Sequence, residues 1–186
     1  MKNLKPFIFG ILAASGALVF ELIISDLYLI VSGQNITQNY FDILTPFLIF
    51  VVLIEEIFRF AMLSKLYEKE NYGFSASIYF GLGFAFIELF FNYLNALLNQ
   101  SDYFFDLGIV GTIFLHIAIT GVIGCLILIT QKPIRYRVVG IISTASTLHI
   151  AYNLIIIYNL PYLLTWAYIG ILFLALFLFG QKISEK

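Results

Sequence analysis

Six apolar stretches, each long enough to cross a bilayer, occupy almost the whole of this chain, at about 6–31, 41–65, 73–98, 107–130, 136–158 and 161–180. An α-helix rises about 1.5 Å per residue, so roughly 20 residues cover the ~30 Å hydrocarbon layer. Of 186 residues, 61% are hydrophobic and 11% charged, whereas a soluble domain carries about a quarter charged residues. A backbone in hydrocarbon must satisfy its own polar groups, and helices do this within one segment. The expected fold class is therefore all-α, a polytopic membrane bundle of six transmembrane helices. Connections are short and no repeat or linker stands out, so 1–186 reads as one transmembrane domain with its motif-bearing core at about 41–158. Lys2 and Lys5 ahead of the first apolar run resemble a signal-peptide start. The run continues to Val31, however, which predicts a retained helix.

Orientation follows from the basic residues. Lys2 and Lys5 precede segment one, Lys65 and Lys69 follow segment two, Lys132, Arg135 and Arg137 follow segment four, and Lys182 and Lys186 end the chain. The other connections carry no Lys or Arg, and Asp26, Asp42, Asp102 and Asp106 lie on their side. This alternation predicts both termini in the cytoplasm, with a prokaryotic cytoplasmic membrane as the expected location. Tyr28, Tyr40, Tyr67, Tyr72, Tyr103, Tyr136, Tyr158 and Tyr162 fall at segment ends, as interfacial aromatics do. The tripeptides at 35–37 and 99–101 match the glycosylation acceptor pattern, which has no meaning in a prokaryote. Cys125, alone in an apolar run, reads as a small buried hydrophobe. The lipid bilayer is the expected surroundings, and nothing suggests a nucleic-acid partner.

One basic residue breaks the pattern. Arg59 lies inside segment two, one turn after Glu55 and Glu56. A single charge at the bilayer centre costs at least roughly 2.5–3.5 kcal/mol, so three within five residues need partners or a task. Depths counted along each segment place Glu55 and Glu56 roughly 14 Å from the inner boundary, Glu88 roughly 22 Å, His116 roughly 21 Å and His149 roughly 18 Å. The two histidines and three of the carboxylates thus share a layer near the midplane on four segments. Glu88, Asn92, Asn95 and Asn99 form one polar stripe, Thr112, His116 and Thr120 a second, and Ser146, His149 and Asn153 a third. Arg59 reads first as a counter-ion. Glu21, also near mid-depth, has no polar neighbours at helical spacing.

A carboxylate beside imidazoles in a low-dielectric layer is suited to take a proton from water. In that chemistry Glu55 or Glu56 is the base, His116 or His149 orients the water, and His149 with Asn153 donates to the developing oxyanion. Such a site hydrolyses a peptide bond with no cofactor. The alternative is zinc held by Glu56, His116 and His149, ligands assembled across helices with no His-Glu-x-x-His motif. A non-catalytic scaffold and a transporter would use the same ionisable layer; the transporter lacks visible inverted repeats.

Glu55-Glu56-x-x-Arg59, then Gly81 to Glu88, a mid-helix His116, and His149-Ile150-Ala151-Tyr152-Asn153 together resemble the PrsW-type glutamic intramembrane proteases of the CAAX-protease superfamily. Glu56 to Ala61 with Lys65-Leu66, and the segments centred on His116 and His149, also resemble the Aph subunit of γ-secretase, a non-catalytic scaffold of that superfamily. The resemblance covers roughly 51–155. It implies Glu55 or Glu56 as the water-activating carboxylate, His116 assisting, and His149 with Asn153 as the oxyanion pair, supported by Arg59, Glu88 and Asn92. The Aph subunit has glutamine at the position of Glu55, so the complete pair favours retained activity. The implied substrate is a transmembrane or membrane-anchored protein, and a membrane-protein partner is the scaffold alternative.

Overall fold

A computed structural model of the chain describes residues 3–32, 44–69, 72–98, 107–130 and 135–184. Those residues form six helices: α1 Leu4–Ser32, α2 Leu44–Lys69, α3 Ser75–Leu98, α4 Leu107–Thr130, α5 Arg135–Ile157 and α6 Tyr162–Ser184. No strand occurs among them. The prolines sit where helices tolerate them. Pro6 and Pro46 occupy first turns and Pro161 immediately precedes α6, so no interior hydrogen bond is lost. At the end of α5 the chain turns through Asn159 at φ 50°. Leu160 N–H bonds Ile155 O at 3.0 Å and Asn159 N–H bonds Ile156 O at 2.9 Å. That is a Schellman closure, with asparagine at the left-handed position it tolerates.

Five of the helices are long and apolar enough to cross a membrane. The expectation of six spans meets this composition test at every helix but α2. α2 has the length, 26 residues, but every 18-residue window within it contains Glu55, Glu56 and Arg59. Its charges are met inside the bundle.

α4 is the central helix. In its spanning window 61% of residues are buried, against 22–33% in the other four spans. α3 lies between α1 and α4, α2 packs on α1 and α5, and α6 covers α4. Glycines bring α3 close on both sides. A Cβ on Gly83 would overlap the carbonyl oxygen of Phe7, and one on Gly10 that of Phe80. A Cβ on Gly81 would come within 2.8 Å of Ile117 Cα and 2.9 Å of His116 O on α4. Small residues allow this approach in an apolar medium, where packing drives helix association. Next to Gly83 on α3, Phe84 is buried in the core with Phe80, Leu115 and Ile119. Large apolar side chains such as Val19, Leu22, Ile171 and Leu174 are exposed on α1 and α6, the surfaces a bilayer would cover.

Lys5 marks the start of α1, Lys65 and Lys69 the end of α2, Arg135 and Arg137 the start of α5, and Lys182 the end of α6. Lys2, Lys132, Lys186, Asp42, Asp102, Asp106, Tyr40, Tyr103, Asn99 and the tripeptides at 35–37 and 99–101 lie outside the described residues.

Candidate functional site

The site is assembled around Arg59, whose side chain is fully buried, as are those of Glu56 and His116; His149 is 4% exposed. Spacing on α2 sets the first contacts, since residues three and four apart share a helix face. Arg59 Nη1 donates to Glu56 Oε1 at 2.6 Å, and Nη2 lies 3.9 Å from Glu55 Oε2. The guanidinium reaches α4 through its other arm, where Nη2 lies 2.7 Å from His116 Nδ1. Beneath it lies Phe84 of α3, its ring centroid 4.0 Å from Arg59 Cζ, a stacking geometry suited to a desolvated guanidinium.

The histidines complete the layer. His149 Nδ1 donates to Glu56 Oε1 at 2.8 Å and lies 3.5 Å from Glu55 Oε2. His116 Nε2 contacts Glu88 Oε2 on α3. The two imidazoles meet edge to face, with centroids 5.4 Å apart and planes at 87°. A continuous polar chain therefore runs Glu88–His116–Arg59–Glu56–His149 through α3, α4, α2 and α5.

The two adjacent glutamates have different surroundings. Glu56 gives Oε1 to both Arg59 and His149, and it is fully buried. Glu55 lies beside a cavity of about 190 Å³ between α1, α2 and α3. Neither its Oε2 nor that of Glu56 accepts a hydrogen bond from the described residues. Glu88 and Asn92 line the same cavity, as does Glu21, and Ala14 and Ala17 give it width.

The sequence-level candidates thus divide. Glu55, Glu56, Arg59, Glu88, His116 and His149 are within direct reach of one another. Asn92 joins them through the cavity. Asn153 is half-buried one turn beyond His149 on α5. Glu21 is the residue that sequence spacing passed over. Its companions come from α2 and α3, so only its depth marked it. Phe84, the platform under Arg59, was also not singled out as a site residue.

The metal-ligand set differs from the one the sequence suggested. The ligand atoms that come within 4.8 Å of one another belong to Glu55, Glu56 and His149. His116, expected in the zinc set, has one ring nitrogen on Arg59 and the other on Glu88. Glu56 Oε1 already accepts from a guanidinium, and a dication there would stand against that positive charge. The residues fit a zinc ion poorly.

Comparison of the chain with protein-family models, curated proteins and solved structures finds no match in any of the three.

Proposed function

We propose that this chain is an intramembrane endopeptidase of the glutamic type, in which Glu55 activates a water molecule. The observation that carries the reading is the asymmetry of the adjacent pair. Glu56 is fully buried and lies 2.6 Å from Arg59 and 2.8 Å from His149, while Glu55 borders a cavity and keeps only longer approaches to them, 3.9 and 3.5 Å. A base must reach both its water and the reacting carbon, and Glu55 has access to that space.

In the reaction, Glu55 takes a proton from water as the oxygen bonds to the scissile carbonyl carbon. The carbonyl electrons move onto oxygen, where His149 and the Asn153 amide are the donors on α5. His149 donates to Glu56 through Nδ1, so it can donate to the oxyanion through Nε2 only as imidazolium, beside Glu56 and Glu55. Collapse of the intermediate breaks the C–N bond, and Glu55 returns its proton to the leaving amine. Glu56 and Arg59 hold His149 and His116 in place, and Glu88 orients His116.

The resemblance of the sequence motifs to those of PrsW-type proteases implies the same activity. In this reading Lys5, Lys65 and Arg137 mark the cytoplasmic side, with both termini there, and the substrate is a transmembrane or membrane-anchored protein. The scaffold reading is favoured by one feature: the Arg59 network joins four helices, as interhelical glue would.

The test is cleavage of single-span substrates in liposomes by purified wild type, Glu55→Gln, Glu56→Gln and His149→Ala. Loss of cleavage in Glu55→Gln, with the variant folded, supports the endopeptidase. Wild-type rates in Glu55→Gln overturn it. No cleavage by folded wild type, with obligate co-purification of another membrane protein, favours the scaffold.

A further inference from the structure

The cavity beside Glu55 carries more than a base needs. α1 contributes Glu21, α2 Glu55 and α3 Glu88, and no Lys or Arg lines it among the described residues. We propose that this cavity receives a positively charged group of the substrate, a lysine ammonium or arginine guanidinium, with Glu21 as the specificity-determining residue. The inference rests on the endopeptidase reading for its substrate, and on the cavity itself for its charge preference.

Charge in the layer leads to this assignment. Four carboxyl groups, Glu21, Glu55, Glu56 and Glu88, line the cavity or the adjoining polar chain, which holds one permanent cation, Arg59. That cation is consumed at Glu56, which accepts its 2.6 Å hydrogen bond. His116 adds no positive charge. A guanidinium has only donors, so Nδ1 at 2.7 Å from Arg59 Nη2 must be unprotonated, and the ring is neutral with its proton on Nε2. His149 can carry at most one more charge, and it faces Glu56 and Glu55. Negative charge is therefore left over on the cavity side, which Glu21, Glu55 and Glu88 line and no Lys or Arg enters among the described residues. In a low-dielectric space that excess calls for a proton or a cation.

Size and walls fit a single cationic side chain. About 190 Å³ is below the roughly 300–1,000 Å³ typical of sites for drug-sized molecules. Phe84, Ile87 and Phe91 give apolar and aromatic walls for an aliphatic stem, and Asn92 adds a polar group. A lysine side chain has the same division, an apolar stem and a charged tip. Glu21 is the carboxylate free for this task, since Glu55 is assigned the proton transfer and Glu88 contacts His116.

The experiment measures binding apart from cleavage. Labelled single-span peptides, identical except for Lys, norleucine or Glu at mid-span, are titrated by fluorescence anisotropy against purified protein in detergent. Wild type should bind the Lys peptide about tenfold tighter than the norleucine peptide, the scale of one charge-assisted hydrogen bond, and the Glu peptide most weakly. Glu21→Gln should reduce the Lys preference to within about twofold, Glu21→Asp should keep it, and Glu21→Lys should shift preference toward the Glu peptide. Equal binding of the Lys and norleucine peptides by wild type overturns the proposal and needs no variant to fold. A Lys preference that survives in folded Glu21→Gln also overturns it. A Lys preference without cleavage of any peptide supports the cavity assignment and counts against the endopeptidase; cleavage without charge preference does the reverse.

Discussion

Arg59 and His116 are joined by a 2.7 Å contact between Nη2 and Nδ1, and the chemistry of the donor fixes the imidazole. Because a guanidinium cannot accept, His116 presents a lone pair at Nδ1 and an N–H at Nε2, the nitrogen that contacts Glu88. One buried cation thereby sets the tautomer of a histidine on α4 while neutralising a carboxylate on α2.

Removing that cation should be costly, and the cost should be recoverable. Arg59→Met leaves Glu56 buried with only His149 as partner, and breaking a buried pair this way costs about 3–5 kcal/mol. The double variant Arg59→Met/Glu56→Gln removes both charges and should regain more than half of the loss. Arg59→Lys should fall between, since one ammonium cannot reproduce the fork that reaches Glu56 and His116 together. Thermal unfolding in detergent checks the series. Equal stability of Arg59→Met and the double variant would sink the assignment of Glu56 as its partner.

Glu55 and Glu56 should separate activity from stability. Glu55→Gln keeps shape and leaves the Arg59–Glu56–His149 contacts intact, so melting should change by less than about 1 kcal/mol while cleavage falls at least about 10²-fold. Glu56→Gln removes the charge that faces Arg59 and should destabilise by about 3 kcal/mol or more. A parallel measurement of melting and cleavage for both variants decides it, and the reverse assignment would exchange base and counter-ion.

Chelation should have no effect. The side chains close enough to share an ion are Glu55, Glu56 and His149, but Glu56 Oε1 is already bonded to Arg59. A zinc site would have to displace that guanidinium or tolerate its charge. Cleavage measured before and after extended dialysis against chelator should agree within error. Loss on dialysis, restored by added zinc, would move the chemistry to a metal.

How much of this could be seen in the chain alone depends on how local each signal was. All six helices were visible because apolar length is a run-length property; α3 was expected from about 73 and begins at Ser75. Glu55, Glu56 and Arg59 were visible because a charge in an apolar run is conspicuous wherever the helix packs. The coincidence of His116, His149 and Glu88 followed from counting depth, since rise per residue is fixed. Rotation about each helix axis is not fixed in that way. So the split between a locked Glu56 and a cavity-facing Glu55 could not be read from two adjacent letters, nor could the arrival of Glu21 from α1. Those depend on how α1 settles against α3, which glycines decide.

That packing supplies the last prediction. Gly10 and Gly83 lie across from each other's helix, and a Cβ on either would overlap a backbone carbonyl oxygen, of Phe80 or Phe7. Backbone cannot step aside as a flexible side chain can, so Gly10→Ala and Gly83→Ala should each cost about 1–3 kcal/mol, toward the upper end. Gly140 and Gly170 are also helical, but a Cβ there meets nothing within 4 Å. Alanine at those positions should be neutral or gain up to about 1 kcal/mol from helix propensity. The same four variants also report on the cavity, because pushing α1 away from α3 separates Glu21 from Glu88. Gly10→Ala and Gly83→Ala should therefore weaken discrimination between Lys and norleucine peptides, while Gly140→Ala and Gly170→Ala leave it at the wild-type value. Equal melting of Gly83→Ala and Gly170→Ala would mean that α1 and α3 do not make this close approach in the bilayer, and the cavity they enclose would have a different shape.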